Sequence, residues 1–229
     1  MISRSNFYNN RSGNWGGGAY MDSHTEMNAS NFYSNTASAA NGSGGGSYIN
    51  NSAVITNSNF YSNVASNRGG GAYIASRVEI SASNFYSNTA DNEGGGIATG
   101  YAVISASKFY SNVATSNGGA MYVYLSSGTS QISNSLFANN NAGGNGAALY
   151  VSNASSFAFI HNTLAANNLI NKQAVYVVTG TVGLTNTLIS NYGTGIQQAN
   201  GTVREDYTLF DGVTTPYAGT VLAGGHSGT

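Results

Sequence analysis

The chain contains no cysteine, so neither a disulfide framework nor a thiolate metal site is open to it, and sulfur gives no clue to its redox compartment. It is also poor in charge, with seven Lys and Arg against eight Asp and Glu and a net charge of -1. That balance lacks the basic field that nucleic acid or an anionic lipid surface requires, so neither is expected as a partner. No apolar run is long enough to span a bilayer, and the start, Met-Ile-Ser-Arg-Ser-Asn-Phe-Tyr, has no basic stretch followed by an apolar one that would read as an export leader. There is one proline, Pro216, placed beyond the last expected repeat, where it breaks no ladder. Low charge often marks disorder, yet 41% of the residues are hydrophobic and the aromatics hold strict positions, so the chain is expected to fold.

What is abundant is a repeat. Asn6-Phe7-Tyr8, Asn31-Phe32-Tyr33, Asn59-Phe60-Tyr61, Asn84-Phe85-Tyr86 and Lys108-Phe109-Tyr110 continue more weakly at Phe137, Leu164, Leu188 and Leu209, with spacings of 25, 28, 25, 24, 28, 27, 24 and 21 residues. Each early copy is followed some ten residues later by a glycine run. A unit this short cannot bury its own apolar face and must stack on copies of itself. Within Arg77 to Tyr101, Val78, Ile80, Ala82 and Phe85 mark the buried side, with a one-residue slip after Ser83 and with serine and asparagine facing outward. Gly94-Gly95-Gly96 suits a tight corner. A second strand follows, as in Gly71-Ala72-Tyr73-Ile74, where tyrosine alternates with apolar residues and points out.

Two or three short strands per coil, with Gly and Asn corners, describe an all-β right-handed parallel β-helix, a pectin-lyase-like solenoid of about eight to nine coils of 21–28 residues. A helical reading fails because apolar residues do not recur at three- and four-residue spacing and Gly, Ser and Asn are poor helix formers. The solenoid is expected over residues 1–210, with strict repeats to about 125 and diverged ones after, followed by an irregular segment at 211–229. Ile2 precedes Phe7 by the same interval that separates Ile55, Ile80 and Ile104 from Phe60, Phe85 and Phe109, so the chain opens inside a repeat and is expected to be a segment of a longer protein with flanking domains.

Stacking equivalent positions gives columns. Phe7, Phe32, Phe60, Phe85, Phe109, Phe137, Leu164, Leu188 and Leu209 form the expected inner one. Three residues later, Asn10, Asn35, Asn63, Asn88, Asn112, Asn140, Asn167 and Asn191 form an expected amide ladder that satisfies the turn backbone. Tyr20, Tyr48, Tyr73, Tyr122, Tyr150 and Tyr176 are expected to form an outward column interrupted at Ala98, and Tyr8, Tyr33, Tyr61, Tyr86 and Tyr110 a second. Rigid tyrosines among serine and asparagine suit a sugar or a protein surface; the plainer reading is mutual stacking that shields the strands.

The pairing of a Phe-x-x-Asn element (Phe32 to Asn35, Phe60 to Asn63, Phe85 to Asn88, Phe109 to Asn112) with a Gly-Gly-Ala-Ile-like element (Gly94-Gly95-Gly96-Ile97, Gly118-Gly119-Ala120-Met121) resembles the repeats of the chlamydial polymorphic outer membrane proteins and the wider group of bacterial right-handed β-helix surface proteins. The later half, with Asn162-Thr163-Leu164 and Asn186-Thr187-Leu188-Ile189-Ser190-Asn191, looks like the β-helices of multi-domain surface proteins of environmental bacteria. The resemblance implies secretion and adhesion or surface display, outer-membrane-associated in a Gram-negative cell, with a polysaccharide or a host or neighbour cell-surface protein as partner and no membrane insertion by this segment.

The same fold serves polysaccharide lyases and glycoside hydrolases, so catalysis has to be weighed. Glycoside hydrolysis needs two carboxyl groups about 5 to 9.5 Å apart. Asp22, Glu26, Glu79, Asp91 and Glu93 are scattered over different coils and offsets; only Arg204, Glu205, Asp206 and Asp211 cluster in sequence, which makes Glu205, Asp206 and Asp211 the catalytic candidates for a carbohydrate-active alternative. His161 and Asp206 each stand three residues before a column leucine, with Thr185 between them, two coils and roughly 9 to 10 Å apart by strand spacing, too far for acid–base coupling. His24 and His226 have no partner that suggests a metal site. None of the glycine runs follows a strand and opens a helix, as a phosphate cradle requires. The expected function is therefore a non-enzymatic, adhesin-like scaffold without cofactor or metal.

Overall fold

A computed structural model describes residues 1–124 and 128–223 of the chain. It is all-β, a parallel solenoid of about eight turns. Every strand pairs in parallel with its counterpart one repeat away: Asn59–Tyr61 lies between Asn31–Tyr33 and Asn84–Tyr86, with Phe60 opposite Phe32 and Phe85. One coil runs from the strand Ala72–Ser81 through Asn84–Tyr86 to Thr89–Ala90, and the next begins at Ile97.

Three columns of left-handed residues turn each regular coil. The first is Arg4, Ala29, Asn57, Ala82, Ala106, Asn134, His161, Asn186 and Tyr207, all with φ between 48° and 56°. The second is Asn9, Ser34, Ser62, Ser87, Ser111 and Asn139, at 54–55°. The third is glycine: at Gly94, φ is 69°, and at Gly95 a Cβ would lie 2.4 Å from the carbonyl oxygens of Gly119 and Val113. The glycine run is therefore demanded by the closeness of the neighbouring coil as well as by the turn.

The first two columns carry side chains at a conformational cost of about 1 to 2 kcal/mol per residue, and two buried polar ladders offset it. The serine two residues before the column phenylalanine is buried from Ser30 to Ser135, against the expectation that serine faces outward. Ser83 Oγ accepts from the Ser58 N–H (3.1 Å) and donates to the Ser81 carbonyl (2.8 Å), and Ser30, Ser58 and Ser107 act alike. Its hydroxyl replaces the strand partner that the bend at Ala82 removes.

The second ladder is the asparagine one, from Asn10 to Asn140. Asn63 Nδ2 donates to Asn88 Oδ1 (3.0 Å) and to the Phe32 carbonyl (2.8 Å), and the Asn63 N–H donates to the same Oδ1 (3.1 Å). Asn35, Asn88 and Asn112 repeat the pattern with no exposed surface. The ladder does not extend to Asn167 or Asn191, both of which are exposed. Asn191 is itself a left-handed corner residue, with φ of 61°, and the register shifts after Ala165 carry Asn167 out of line.

Between the ladders lies the apolar column. Phe7, Phe32, Phe60, Phe85, Phe109 and Phe137 stack with centroids 4.7–5.1 Å apart and planes within 7° of parallel. Leu164 continues it, but the two last members are Ile189 and Phe210 instead of Leu188 and Leu209. Leu164 is opposite Ile189 and Ile189 opposite Phe210, while Leu209 is 51% exposed. Thr187 and Thr208, both buried, take the serine position, and Thr187 Oγ1 donates to the Thr185 carbonyl (3.2 Å) as the serines do.

Residues 211–223, the described part of the segment expected to be irregular, are more regular than that. Thr215–Ala218 pairs with the strand Leu188–Gln198, and Val221–Ala223 with Thr202–Asp206, making a further partial coil. Pro216 thus stands inside a strand, at its open edge, where a missing N–H interrupts no further pairing among the described residues.

Replacing Asn88 by alanine deprives two buried backbone groups, the Asn63 N–H and the Phe60 carbonyl, of a partner at about 1 to 3 kcal/mol each. The total should rival the loss of about 3 to 5 kcal/mol expected for Phe85→Ala. Tyr86→Ala and Asn84→Ala, on the outward face, should cost much less. Denaturant unfolding of the four variants decides: an Asn88→Ala no worse than Asn84→Ala would remove the inner ladder from the stability argument.

Candidate binding surfaces

Alternation along the strand after each glycine run sends its central residue outward, and stacking aligns those residues into a band. Tyr20, Tyr48 and Tyr73 follow one another with centroids 5.4 and 4.8 Å apart, and Trp15 packs over Tyr48 (5.3 Å) and Tyr20 (6.1 Å). Tyr122, Tyr150 and Tyr176 continue the line at 5.2 and 5.4 Å.

The expected interruption at Ala98 is closed by a residue that the repeat pattern does not mark. Tyr124 belongs to the following coil, where its N–H donates to the Thr99 carbonyl, but its ring turns back over Ala98 and stands 6.0 Å from both Tyr73 and Tyr122. Its hydroxyl donates to Tyr73 Oη at 2.8 Å and lies 3.3 Å from the Ile74 and Ala75 carbonyls. The band therefore runs unbroken from Trp15 to Tyr176. Tyr122, in the middle of the band, is nearly covered, at 6% exposure, whereas Trp15 and Tyr20 at its start remain 47% and 45% exposed, so the band is uneven as contact surface.

A charged pair is built against this band. Arg68 and Glu93 occupy equivalent positions of adjacent coils and meet at 2.8 Å. The Arg68 guanidinium also lies 5.7 Å from the Tyr122 centroid and 5.8 Å from that of Tyr124. Cation–π attraction and the ion pair hold the same group, which fixes Tyr124 across the gap.

The second tyrosine column is equally regular: Tyr8, Tyr33, Tyr61, Tyr86 and Tyr110 stack at 4.8–5.1 Å with planes within 5°. An outer amide column runs beside it, from Asn84 Nδ2 to Asn59 Oδ1, Asn59 to Asn31 and Asn31 to Asn6, each at 2.8 Å.

The acidic group at the end of the solenoid does not converge. Glu205 sits in the inward position opposite Leu184, is 2% exposed, and accepts from the Thr208 N–H (2.7 Å) and the Tyr217 hydroxyl (2.5 Å). Asp206 is on the opposite side of the same strand, and Asp211 is exposed beyond Phe210. His161 does not share a column with Asp206. It is a corner residue above which Asn186 and Tyr207 follow, and its Nε2 is 3.0 Å from Asn186 Nδ2; Asp206 is aligned with Thr185. Of the dispersed acids, Glu79 pairs with Arg77, and Asp22 accepts from Tyr20 and Asn50. His24 Nδ1 is 2.7 Å from Ser52 Oγ, and His226 lies outside the described residues.

Burial, and after it the neighbouring phenols Tyr122 and Tyr176, push Tyr150 up to about 12. Burial and then the hydrogen bond with Tyr73 raise Tyr124, and burial alone raises Tyr192. Unfolded tyrosine ionises near pH 10. The folded chain keeps protons that the unfolded chain releases, so stability is complete below about pH 10 and falls as the pH climbs beyond it. Thermal melts between pH 8 and 11.5 should show a flat Tm that then declines, with a smaller decline in Tyr124→Phe. A Tm independent of pH up to 11.5 would contradict the assignment.

No protein-family model matches the chain, and no curated protein or solved structure does either.

Proposed function

We propose that the chain is a non-enzymatic, extracellular or surface-displayed scaffold, adhesin-like, that presents a rigid repetitive surface to a polysaccharide or to a protein of a neighbouring or host cell surface. The observation that carries this reading is the continuous aromatic band from Trp15 to Tyr176. Its rings are locked by stacking and by the backbone ladder, so little side-chain entropy remains to be lost on contact. Exposed Trp15 and Tyr20 supply the kind of amphipathic aromatic contact that dominates binding surfaces. The resemblance of the Phe-x-x-Asn and glycine elements to the chlamydial outer membrane protein repeats supports the same location.

The carbohydrate-active alternative depends on the carboxylates at the end of the solenoid. Its support is weaker, because Glu205 is enclosed by Thr208 and Tyr217 while Asp206 is on the other side of its strand.

Adhesion of beads coated with the chain to glycan arrays and to intact bacterial and epithelial cells tests the proposal. Trp15→Ser with Tyr20→Ser should weaken adhesion by about tenfold or more, the scale of losing an aromatic hot spot, with Tm nearly unchanged because both side chains are half exposed. Release of product from a polysaccharide, abolished by Asp206→Ala or Asp211→Ala, would overturn the non-enzymatic reading.

A further inference from the structure

The second tyrosine column and the outer amide column end next to each other, and they leave a step in an otherwise regular face. Tyr110 stacks on Tyr86 at 4.8 Å, with the planes 2° apart. On its other side the register places Ala138 opposite Tyr110 and Ala165 opposite Ala138. Two successive coils therefore offer methyl groups where five have offered rings. At about 4.8 Å per coil the step is about 10 Å high, and one face of the Tyr110 ring looks into it.

The rim is polar. Asn84 donates down its column to Asn59, but the next coil puts Lys108 in the place of the following asparagine, so no side-chain amide meets Asn84 Oδ1 from above. Lys108 is exposed, on the same face of its strand as Tyr110, and its ammonium makes no ion pair or hydrogen bond among the described residues. Ser111 and Asn139 extend the polar margin, Leu136 stands opposite Lys108 as its one large aliphatic member, and no Asp or Glu lines the groove.

We propose that this step is a binding site for an anionic saccharide, with the C–H face of a pyranose ring stacked on Tyr110 in continuation of the tyrosine column and its carboxylate or sulfate paired with Lys108. A ring on Tyr110 lies at the level of Ala138, and the second level of the step is that of Ala165. A pyranose suits the site better than an aromatic side chain because the rim supplies amide and hydroxyl partners that ring hydroxyls use and an aromatic ring does not. The unpaired ammonium without a neighbouring carboxylate selects the negative charge. This site is separate from the Trp15 band but rests on the reading of the chain as a binding scaffold.

Calorimetric titration of the whole chain with a β-1,4-mannuronate tetrasaccharide, a sulfated carrageenan tetrasaccharide and neutral β-1,4-mannotetraose tests it. At least one anionic probe should bind about tenfold or more tightly than the neutral one, and which of the two does so identifies the substituent. Ala138→Tyr, which extends the column into the step, should abolish binding without lowering Tm. Lys108→Asn, which extends the amide column, should erase the preference for the anion. Tyr110→Ala removes the platform from an outward position and gives a second reading if Ala138→Tyr does not fold. Undiminished binding by folded Ala138→Tyr, an anion preference that survives Lys108→Asn, or no binding of either anionic probe at millimolar concentration would overturn the site. Any of these results, alongside adhesion that is still lost in the Trp15 and Tyr20 variant, overturns the step alone and leaves the scaffold reading standing.

Discussion

A polypeptide can return above itself at strand spacing only if the polar groups exposed at every corner find partners along the axis, because the corner is where the parallel ladder is bent and its pairing broken. Here that condition is met by two short side chains flanking each column phenylalanine. The serine two residues before it replaces a lost strand acceptor, and the asparagine three residues after it uses both amide hydrogens and its carbonyl oxygen on groups of the adjacent coils. Both are buried, so water does not compete and an absent partner would be costly. The left-handed corners, the glycine approach and the stacked aromatic columns all follow from holding successive coils at this one spacing.

The same constraint makes the outside regular. A side chain that points out of one coil has its equivalent about 4.8 Å away in the next, which is close to the separation at which aromatic rings pack face to face. The tyrosine columns are thus consequences of the backbone repeat that also cover strand surface. Shielding and presentation coexist along the band: Tyr122 is almost fully covered, while Trp15 and Tyr20 are half open. Stability and contact surface can therefore be separated residue by residue within one band, although every ring in it has the same kind of neighbour.

The fold was legible because identical residues recur at identical places, and the phenylalanine column, the asparagine ladder from Asn10 to Asn140 and both tyrosine columns follow from counting. Counting failed where the identity of the marker changed. Choosing Leu188 and Leu209 over Ile189 and Phe210 shifts the column by one residue, and in a strand one residue reverses inside and outside. Thr187 and Thr208 in the serine position mark the register, but a hydroxyl ordinarily prefers water, so composition alone puts that position on the solvent side. Tyr124 was not legible at all, since it reaches back across a coil to a place left by Ala98. Glu205 was visible as an acid, yet its burial depends on Tyr217, which comes from a strand that local pattern did not predict.

The slip of register at Leu188 and Leu209 falls in the later coils for a physical reason. Through Asn140 the polar ladders specify the register, yet the outward positions already change within that stretch, to Lys108 in the amide column and to Ala138 in the tyrosine column. Beyond it the asparagine place is taken first by a register shift and then by the core residue Tyr192, and only the serine place, held by Asn162, Thr187 and Thr208, stays polar and buried. A fixed register does not oblige neighbouring coils to carry the same residue outside, and both outer columns end before the inner ladder does. The tyrosine column stops at Tyr110, the outer amide column at Asn84, and the inner ladder one coil beyond Tyr110, at Asn140. A uniform surface presents the same chemistry everywhere, whereas the place where these columns run out offers a ring face, a cation and a step side by side. In a solenoid of this kind, selective recognition is to be sought where the repeat decays.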